Sequence, residues 1–212
     1  MINIQPKRGL MTSPSVLIVD DSSFIRSQIT KELEQIGAVV TQAEHGESAI
    51  NITKSKQFDL VITDIEMPVM DGFQLCSRLK DDPRTRTTPV IILSSLDSDR
   101  DVDKGFKVGA AAYVSKAEAK DLLIETVQKV LKKSVFHRNQ LILVVDDSEV
   151  IRNLVKDELE KAGFRVLTAL SGKHALKLIN NHRPDLILSD INMPEMDGIE
   201  FCKNLKKDPG LS

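Results

Sequence analysis

The chain contains the same pattern twice at a constant separation. Residues 16–23 read VLIVDDSS and residues 141–148 read LILVVDDS, so an apolar run ends on two adjacent carboxylates in both places. Asp20 and Asp146 lie 126 positions apart, as do Asp64 and Asp190. The same separation relates Met67, Pro68, Asp71, Gly72 and Cys76 to Met193, Pro194, Asp197, Gly198 and Cys202. A constant separation indicates a tandem duplication whose period is a whole domain, longer than the roughly 20 to 50 residues of a solenoid repeat.

The length of the chain agrees with two units. Domains commonly contain about 100 to 150 residues, so 212 residues of which 41% are hydrophobic can build more than one core. We expect a flexible leader over residues 1–14 and a complete first domain over residues 15–133. A linker over residues 134–140 and the N-terminal part of a second domain over residues 141–212 would follow.

The charge balance favours neither nucleic acid nor a membrane as a partner. There are 29 Lys and Arg residues against 31 Asp and Glu residues, and the formal net charge is -2. Such partners attract chains with a basic excess, which is lacking here. No apolar stretch approaches the roughly 18 residues of a membrane span, and residues 1–15 lack the apolar centre of a secretory signal. We therefore predict a cytoplasmic protein that binds neither nucleic acid nor membrane directly.

Short apolar runs alternate with helical patterns in the first copy. Phe24, Ile25, Ile29, Leu33 and Ile36 recur at helical spacing, and a similar pattern covers residues 122–131. Strands that are almost wholly apolar and alternate with helices are typical of a parallel sheet covered on both faces. The sequence therefore predicts a doubly wound α/β sandwich, with strands at residues 16–20, 39–43, 60–64, 90–95 and 111–115.

Three carboxylates of the first copy stand at predicted strand ends. Ligands of open parallel sheets bind in the crevice outside the carboxyl ends of the strands, so Asp20, Asp21 and Asp64 are expected to converge there. Adjacent carboxylates repel one another unless a cation is present, and a hard divalent ion with oxygen ligands, above all Mg²⁺, removes that conflict. The loop after the first strand carries acids where a phosphate cradle needs glycines, which argues against a nucleotide or flavin site.

At these residues the sequence resembles the response-regulator receiver domain of two-component signalling. The resemblance covers residues 15 to about 133 in full and residues 141–212 in part. It implies a flavodoxin-like, five-stranded parallel sheet with strand order 2-1-3-4-5, followed by a partial second copy. The residues that carry it in the first copy are Asp20 and Asp21, Asp64 in LVITDIEMPVMDG, Ser94 in VIILSS, and Tyr113 and Lys116 in GAAAYVSK.

The resemblance also implies roles for these residues. Asp64 would accept a phosphoryl group from a histidine kinase or phosphotransfer protein. Mg²⁺ would be held by Asp21, Asp64 and the backbone carbonyl of Glu66, with Asp20 acting through water. The Ser94 hydroxyl would bond a phosphoryl oxygen, the Lys116 ammonium would pair with the acids or the phosphoryl group, and the Tyr113 side chain would turn inward on activation.

The second copy has part of this set. It contains Asp146, Asp147 and Asp190, with Asn192 at the position of Glu66, but this chain holds no counterpart of Ser94, Tyr113 or Lys116. We expect the chain to be a fragment of a longer protein, or the missing half to be supplied by another chain. Ala117 replaces the proline that usually follows the lysine in this family, which puts a family-typical homodimer in doubt.

Three classes of function remain open at this point. The leading one is signal reception, in which phosphorylation of Asp64, and in the second copy of Asp190, changes binding to a partner or output domain. The second is a receiver-like adaptor that no longer turns over phosphate. The third is the input half of a larger enzyme, such as a diguanylate cyclase, phosphodiesterase or histidine kinase, whose output domain would lie beyond Ser212.

Overall fold

Strands and helices alternate along the chain in the computed structural model, which describes residues 13–95 and 98–207 without the side chains of Lys120 and Asp121. Residues 1–12 of the predicted leader lie outside these ranges. The first eleven elements are β1 (Ser15–Val19), α1 (Ser23–Gln35), β2 (Val39–Ala43), α2 (Gly46–Thr53), β3 (Leu60–Thr63), α3 (Gly72–Asp81), β4 (Val90–Ser94), α4 (Asp99–Lys107), β5 (Ala112–Ser115), α5 (Ala119–Asn139) and β6 (Leu141–Val145). The next five are α6 (Glu149–Lys161), β7 (Arg165–Ala169), α7 (Gly172–Asn181), β8 (Leu186–Ser189) and α8 (Gly198–Lys207).

The first sheet has five parallel strands in the order β2-β1-β3-β4-β5, which confirms the predicted fold class and strand order. Three of the predicted strands end one residue earlier than expected, at Val19, Thr63 and Ser94. Asp20 and Asp64 are therefore the first residues after their strands rather than the last residues within them. The chain divides between Leu131 and Lys132 into two compact units.

Both faces of the first sheet are covered, as the nearly continuous apolar strands predict. Leu17 and Val19 of β1 belong to a buried cluster with residues of α2 and α3, including Leu75. Val16 and Ile18 of the same strand belong to a second cluster with residues of α1 and α5. Successive strand residues point to opposite faces, so one short apolar run contributes to both layers.

The second unit contains a three-stranded parallel sheet in the order β7-β6-β8 within its described residues. This sheet repeats the arrangement of β2, β1 and β3 and agrees with the predicted partial second copy. Leu186 and Leu188 of β8 are exposed, whereas Leu60 and Ile62, at the same positions of β3, are buried. Residues 134–139, where a linker was expected, are the last turns of α5.

No helix in the described part of the chain has both the length and the hydropathy that crossing a bilayer requires.

Candidate functional site

Two carboxylates leave the first sheet at the same edge because their strands are parallel neighbours. β1 pairs with β3 in a register that places Val19 opposite Thr63, so the next residues, Asp20 and Asp64, emerge side by side. The Asp64 N–H donates a hydrogen bond of 2.8 Å to the carbonyl of Val19, which extends the strand pairing by one residue. As whole residues, Asp20 and Asp64 are only 2% and 6% exposed.

Lys116 forms ion pairs with both of these buried carboxylates. It directly follows β5, at the same end of the sheet, and its Nζ lies 2.9 Å from Asp20 Oδ2 and 2.8 Å from Asp64 Oδ2. The Lys116 N–H donates to the carbonyl of Ser94 at 2.8 Å, so the lysine is anchored to the end of β4. One ammonium group therefore links the acids that follow the first and third strands.

The surroundings change the pKa values of the paired groups. Burial raises the pKa of the Asp64 carboxyl and Asp20 adds to the rise, which outweighs the lowering by Lys116 and by the Ile65 N–H. Burial also opposes the charged form of Lys116, but its hydrogen bonds and charge interactions with Asp64 and Asp20 prevail and raise its pKa. The stabilisation from Lys116 is therefore present at neutral pH and is lost only as the pH rises through that raised value.

Asp21 completes a cluster of three carboxylates with the composition of a hard-cation site. One carboxylate oxygen from each of Asp20, Asp21 and Asp64 lies within 4.8 Å of the others, and Asp21 is the exposed member. Mg²⁺ binds oxygen ligands at about 2.1 Å and retains several waters, so carboxylates at one open edge suit it. Lys116 supplies one positive charge against three negative charges, and the cluster can still attract a cation.

The other predicted residues of the first copy lie in β4, in β5 and in the loop after Asp64. Ser94 is fully buried at the end of β4. Glu66 lies in the loop after Asp64 with its side chain exposed. Tyr113 in β5 is half-buried, and a Cβ placed on Gly105 of α4 would lie 3.1 Å from its ring. Tyr113 also lines a cleft of about 420 Å³, together with Val102, Phe106, Ser115, Ala117 and Glu118.

The second unit repeats the acidic cluster with greater exposure. Asp146, Asp147 and Asp190 each place a carboxylate oxygen within 4.8 Å of the others. The Asp190 N–H donates to the carbonyl of Val145 at 2.8 Å, as its counterpart does in the first unit. Within the described ranges no basic side chain forms an ion pair with these three acids. Asn192 is exposed in the loop after Asp190.

Two further residues contact the acidic loops and were missed from the sequence. Arg26 donates from Nη1 to the backbone carbonyls of Asp20 and Asp21. The Thr63 hydroxyl donates to the carbonyl of Asp64 at 2.9 Å. The signal was present, because Arg152 and Ser189 stand 126 positions later and make the equivalent hydrogen bonds.

Comparison with known proteins supports the same assignment. The family model of the response regulator receiver domain matches residues 16–128 and 142–211. The chain is 43% identical over 103 residues to the gliding motility regulatory protein of Myxococcus xanthus, but it spans only 13% of that protein. It is 35% identical to the protein PilH of Pseudomonas aeruginosa, covering 55% of this chain and 96% of PilH.

Solved structures show the same fold. The chemotaxis response regulator CheY4 of Vibrio cholerae is 32% identical with a TM-score of 0.54, covering 56% of this chain and 99% of CheY4. A protein described as a putative two-component system response regulator/ggdef domain protein has 25% identity and a TM-score of 0.59, covering 92% of this chain and 78% of that one. With the family model matched in both halves of the sequence, this chain belongs to the response regulator receiver domain family.

Proposed function

We propose that the first unit is a phosphorylation-dependent receiver in a cytoplasmic two-component system. Asp64 accepts a phosphoryl group from a histidine kinase or phosphotransfer protein. Asp21, Asp64 and the backbone carbonyl of Glu66 would hold Mg²⁺, with Asp20 acting through water. The observation that carries this proposal is the Lys116 ammonium group, which lies within 2.9 Å of both Asp20 and Asp64 beside the exposed Asp21 carboxylate.

The charges at this site suit phosphoryl transfer. A carboxylate oxygen of Asp64 attacks phosphorus, the bond from phosphorus to the donor nitrogen breaks, and an aspartyl phosphate forms. Because the transition state spreads negative charge over the phosphoryl oxygens, catalysis depends mostly on position and charge stabilisation. Lys116 supplies a positive charge from one side, and a bound divalent ion would neutralise oxygen charge from the other. In this proposal the receiver catalyses only two reactions, the phosphorylation of its own Asp64 and the hydrolysis of the resulting aspartyl phosphate.

The consequence of phosphorylation is a shift between two states of the region around β4 and β5. Ser94 bonds a phosphoryl oxygen in the phosphorylated state, and Tyr113 turns inward toward the space that this rearrangement opens. The anchoring of Lys116 to the carbonyl of Ser94 joins the charged site to the end of β4. A change at Asp64 can therefore alter the surface of α4 and β5 that a partner or output domain contacts.

The time for which Asp64 holds its phosphoryl group should depend on Glu66, two positions later, where the second copy has Asn192. Glu66 adds negative charge beside the acyl phosphate and disfavours the approach of the attacking water, whereas Asn192 is neutral. We expect Glu66→Asn to speed the loss of the phosphoryl group from Asp64 severalfold, measured by intact mass after removal of the donor. Glu195→Asn, an exposed change in the second unit, should leave this rate unaltered. An unchanged rate in Glu66→Asn would contradict the role given to this side chain.

A second candidate is the input half of a larger enzyme. The observation that favours it is the structure of a response regulator/ggdef domain protein, which aligns with 92% of this chain and therefore with both of its units. In this case the two receivers would control an attached output domain, and Asp190 would be a second acceptor with Asp146, Asp147 and the carbonyl of Asn192 as cation ligands. Sequencing the reading frame after Ser212 tests this candidate directly.

Intact-mass measurement after incubation with acetyl phosphate tests the leading proposal. We expect wild type to gain one phosphoryl group when Mg²⁺ is present and none when it is chelated. Asp64→Asn should abolish the gain, and Asp190→Asn, the same change in the second unit, should preserve it. A gain that persists in Asp64→Asn would place the acceptor elsewhere. No gain in folded wild type with Mg²⁺ would favour the adaptor function.

A further inference from the structure

In each unit, an arginine near the start of the first helix after the acidic pair contacts the backbone of that pair. The arginine is Arg26 in α1 and Arg152 in α6. Arg26 Nη1 lies 2.6 Å from the carbonyl oxygen of Asp20 and 3.1 Å from that of Asp21. Arg152 Nη1 lies 2.7 Å and 3.0 Å from the carbonyl oxygens of Asp146 and Asp147. The two units thus build the same contact from the same position of the repeat, although most of the surrounding helix residues differ.

Asp21 depends on this contact more than the other two acids do. The Asp20 carboxylate accepts hydrogen bonds from the Ser22 N–H and from Lys116, and the Asp64 carboxylate accepts them from the Ile65 N–H and from Lys116. Among the described residues, none donates a hydrogen bond to the Asp21 carboxylate. Without such a donor, the placement of this side chain rests on the backbone that carries it, which is the backbone that Arg26 binds.

The second unit shows the same difference. The Asp146 carboxylate accepts the Ser148 N–H at 2.8 Å, and the Asp190 carboxylate accepts the Ile191 N–H at 2.7 Å. Within the described part of that unit, the carboxylate of Asp147, the counterpart of Asp21, accepts no hydrogen bond from a side chain or from the backbone. In both units, the arginine binds the backbone of the one acid whose carboxylate accepts no hydrogen bond within the described ranges.

The contact of Arg26 with two consecutive carbonyls restrains the conformation of the loop. One nitrogen can reach both oxygens only when the two peptide groups turn toward the same side, so the contact excludes most backbone conformations of the acidic pair. The arginine is itself supported, because its Nε donates to Gln42 Oε1 at 3.3 Å and Gln42 Nε2 donates to the Thr30 hydroxyl at 2.9 Å. The Thr30 hydroxyl in turn donates to the carbonyl of Arg26 at 2.7 Å.

We propose that Arg26 is a positioning residue for the cation site, which orients the Asp21 carboxylate through its backbone, and that Arg152 does the same for Asp147. This inference rests on the proposed binding of Mg²⁺. An electrostatic role and a positioning role for Arg26 predict opposite changes in Mg²⁺ affinity when the arginine is replaced. A nearby guanidinium repels a cation, so a purely electrostatic role would make Mg²⁺ bind more tightly once Arg26 is neutralised. A positioning role makes it bind more weakly.

Titration with MgCl₂ followed by amide NMR shifts tests the proposal in the whole chain. The amides of Ser22 and Ile65 report on the first cluster, and those of Ser148 and Ile191 report on the second. We expect Arg26→Gln to weaken Mg²⁺ binding at the first cluster by about tenfold, the lower end of the loss seen when groups that orient metal ligands are removed. Binding at the second cluster should not change, and Arg152→Gln should give the reverse pattern.

Further variants separate position from charge and from general loss of structure. Arg26→Lys keeps the charge but lacks the rigid guanidinium plane and the Nε donor that bonds Gln42, so it should also weaken binding. Lys31→Gln removes one charge from an exposed position of the same helix and should have no effect. The rate of phosphorylation by acetyl phosphate in Arg26→Gln should return to the wild-type rate at saturating Mg²⁺, which a partly unfolded protein would not do.

The outcomes distinguish this inference from the proposed function. If wild type shows no Mg²⁺-dependent shifts at either cluster, the proposed metal site fails, and the role of Arg26 fails with it. If wild type binds Mg²⁺ and Arg26→Gln binds it equally or more tightly, only the positioning role is overturned. If Arg26→Gln does not fold, Arg26→Lys and the independent change Arg152→Gln decide the matter in the same titration.

Discussion

Replacing Lys116 with methionine should slow the phosphorylation of Asp64 by about a hundredfold, because it removes the positive charge that the protein directs at the phosphoryl group. The same change should strengthen Mg²⁺ binding. Lys116 Nζ lies 2.8 Å from Asp64 Oδ2 and 2.9 Å from Asp20 Oδ2. At this position the ammonium group competes with a cation for the negative charge of the two carboxylates. A tighter metal site that reacts more slowly is the characteristic result of this arrangement.

The variant should also be less stable when Mg²⁺ is absent. Asp20 and Asp64 are buried next to each other, and without Lys116 their carboxylates repel one another with no nearby ammonium group to offset the cost. Because the proposed Mg²⁺ site is formed only in the folded protein, adding the ion should recover most of the lost stability. Urea unfolding with and without MgCl₂, together with the initial rate of phosphorylation by acetyl phosphate, measures both effects.

Lys129→Met is the matched control for this prediction. Lys129 forms an exposed ion pair of 2.7 Å with Glu125 one turn away in α5, and pairs of this kind contribute little. This variant should phosphorylate at the wild-type rate and respond to Mg²⁺ like wild type. A Lys116→Met protein that phosphorylates within a few-fold of the wild-type rate would show that the metal alone stabilises the transition state.

The second large effect is expected at Gly72, the first residue of α3. A Cβ at this position would lie 2.0 Å from the carbonyl oxygen of Asp64 and 3.0 Å from the Cα of Ile65. These are backbone atoms of the loop after β3, so they cannot rotate away as the end of a side chain can. The same carbonyl accepts the Thr63 hydroxyl, and the Gly72 N–H donates to the carbonyl of Ile65 at 3.0 Å. The second of these bonds holds the start of α3 against the loop after β3.

We expect Gly72→Ala to destabilise the protein by about 3 kcal/mol or more, since the added carbon can be accommodated only by moving the backbone of Asp64. For a unit of this size such a loss lowers the melting temperature by about 10 °C. Any Gly72→Ala protein that remains folded should also phosphorylate more slowly, because its acceptor carboxylate is displaced. Thermal unfolding followed by circular dichroism and the acetyl phosphate assay provide the two measurements.

Gly46→Ala provides a control at the first residue of another helix. Its Cβ would meet Met70 at 2.7 to 2.9 Å, and the nearest of these atoms belong to a flexible side chain that can move aside. Its loss of stability should therefore be clearly smaller than that of Gly72→Ala. Gly198→Ala in the second unit, where the Cβ would lie 2.3 Å from the carbonyl of Asp190, should behave like Gly72→Ala. Equal losses at Gly46 and Gly72 would contradict the explanation by backbone contact.

The fold and the duplication could be predicted because they depend on periodic patterns along the chain. Apolar runs of strand length alternate with helical spacing, and these patterns define the layers before any long-range contact is known. The strands end one residue earlier than predicted, at Val19 and Thr63, because the chain turns out of the sheet at Asp20 and Asp64. The parallel sheet also explains why acids after different strands meet at one edge.

The sequence by itself determined the duplicated α/β architecture, the strand order through the family resemblance, and the set of acids that gather at one edge. Only the tertiary structure decided how these acids differ. Lys116, which is 96 positions from Asp20, pairs with Asp20 and Asp64 but not with Asp21, and Arg26 binds the loop through backbone carbonyls that no residue pattern displays. The physical reason is that local patterns specify which face or edge a residue occupies, whereas burial and hydrogen-bond partners depend on where distant strands and helices bring their atoms together.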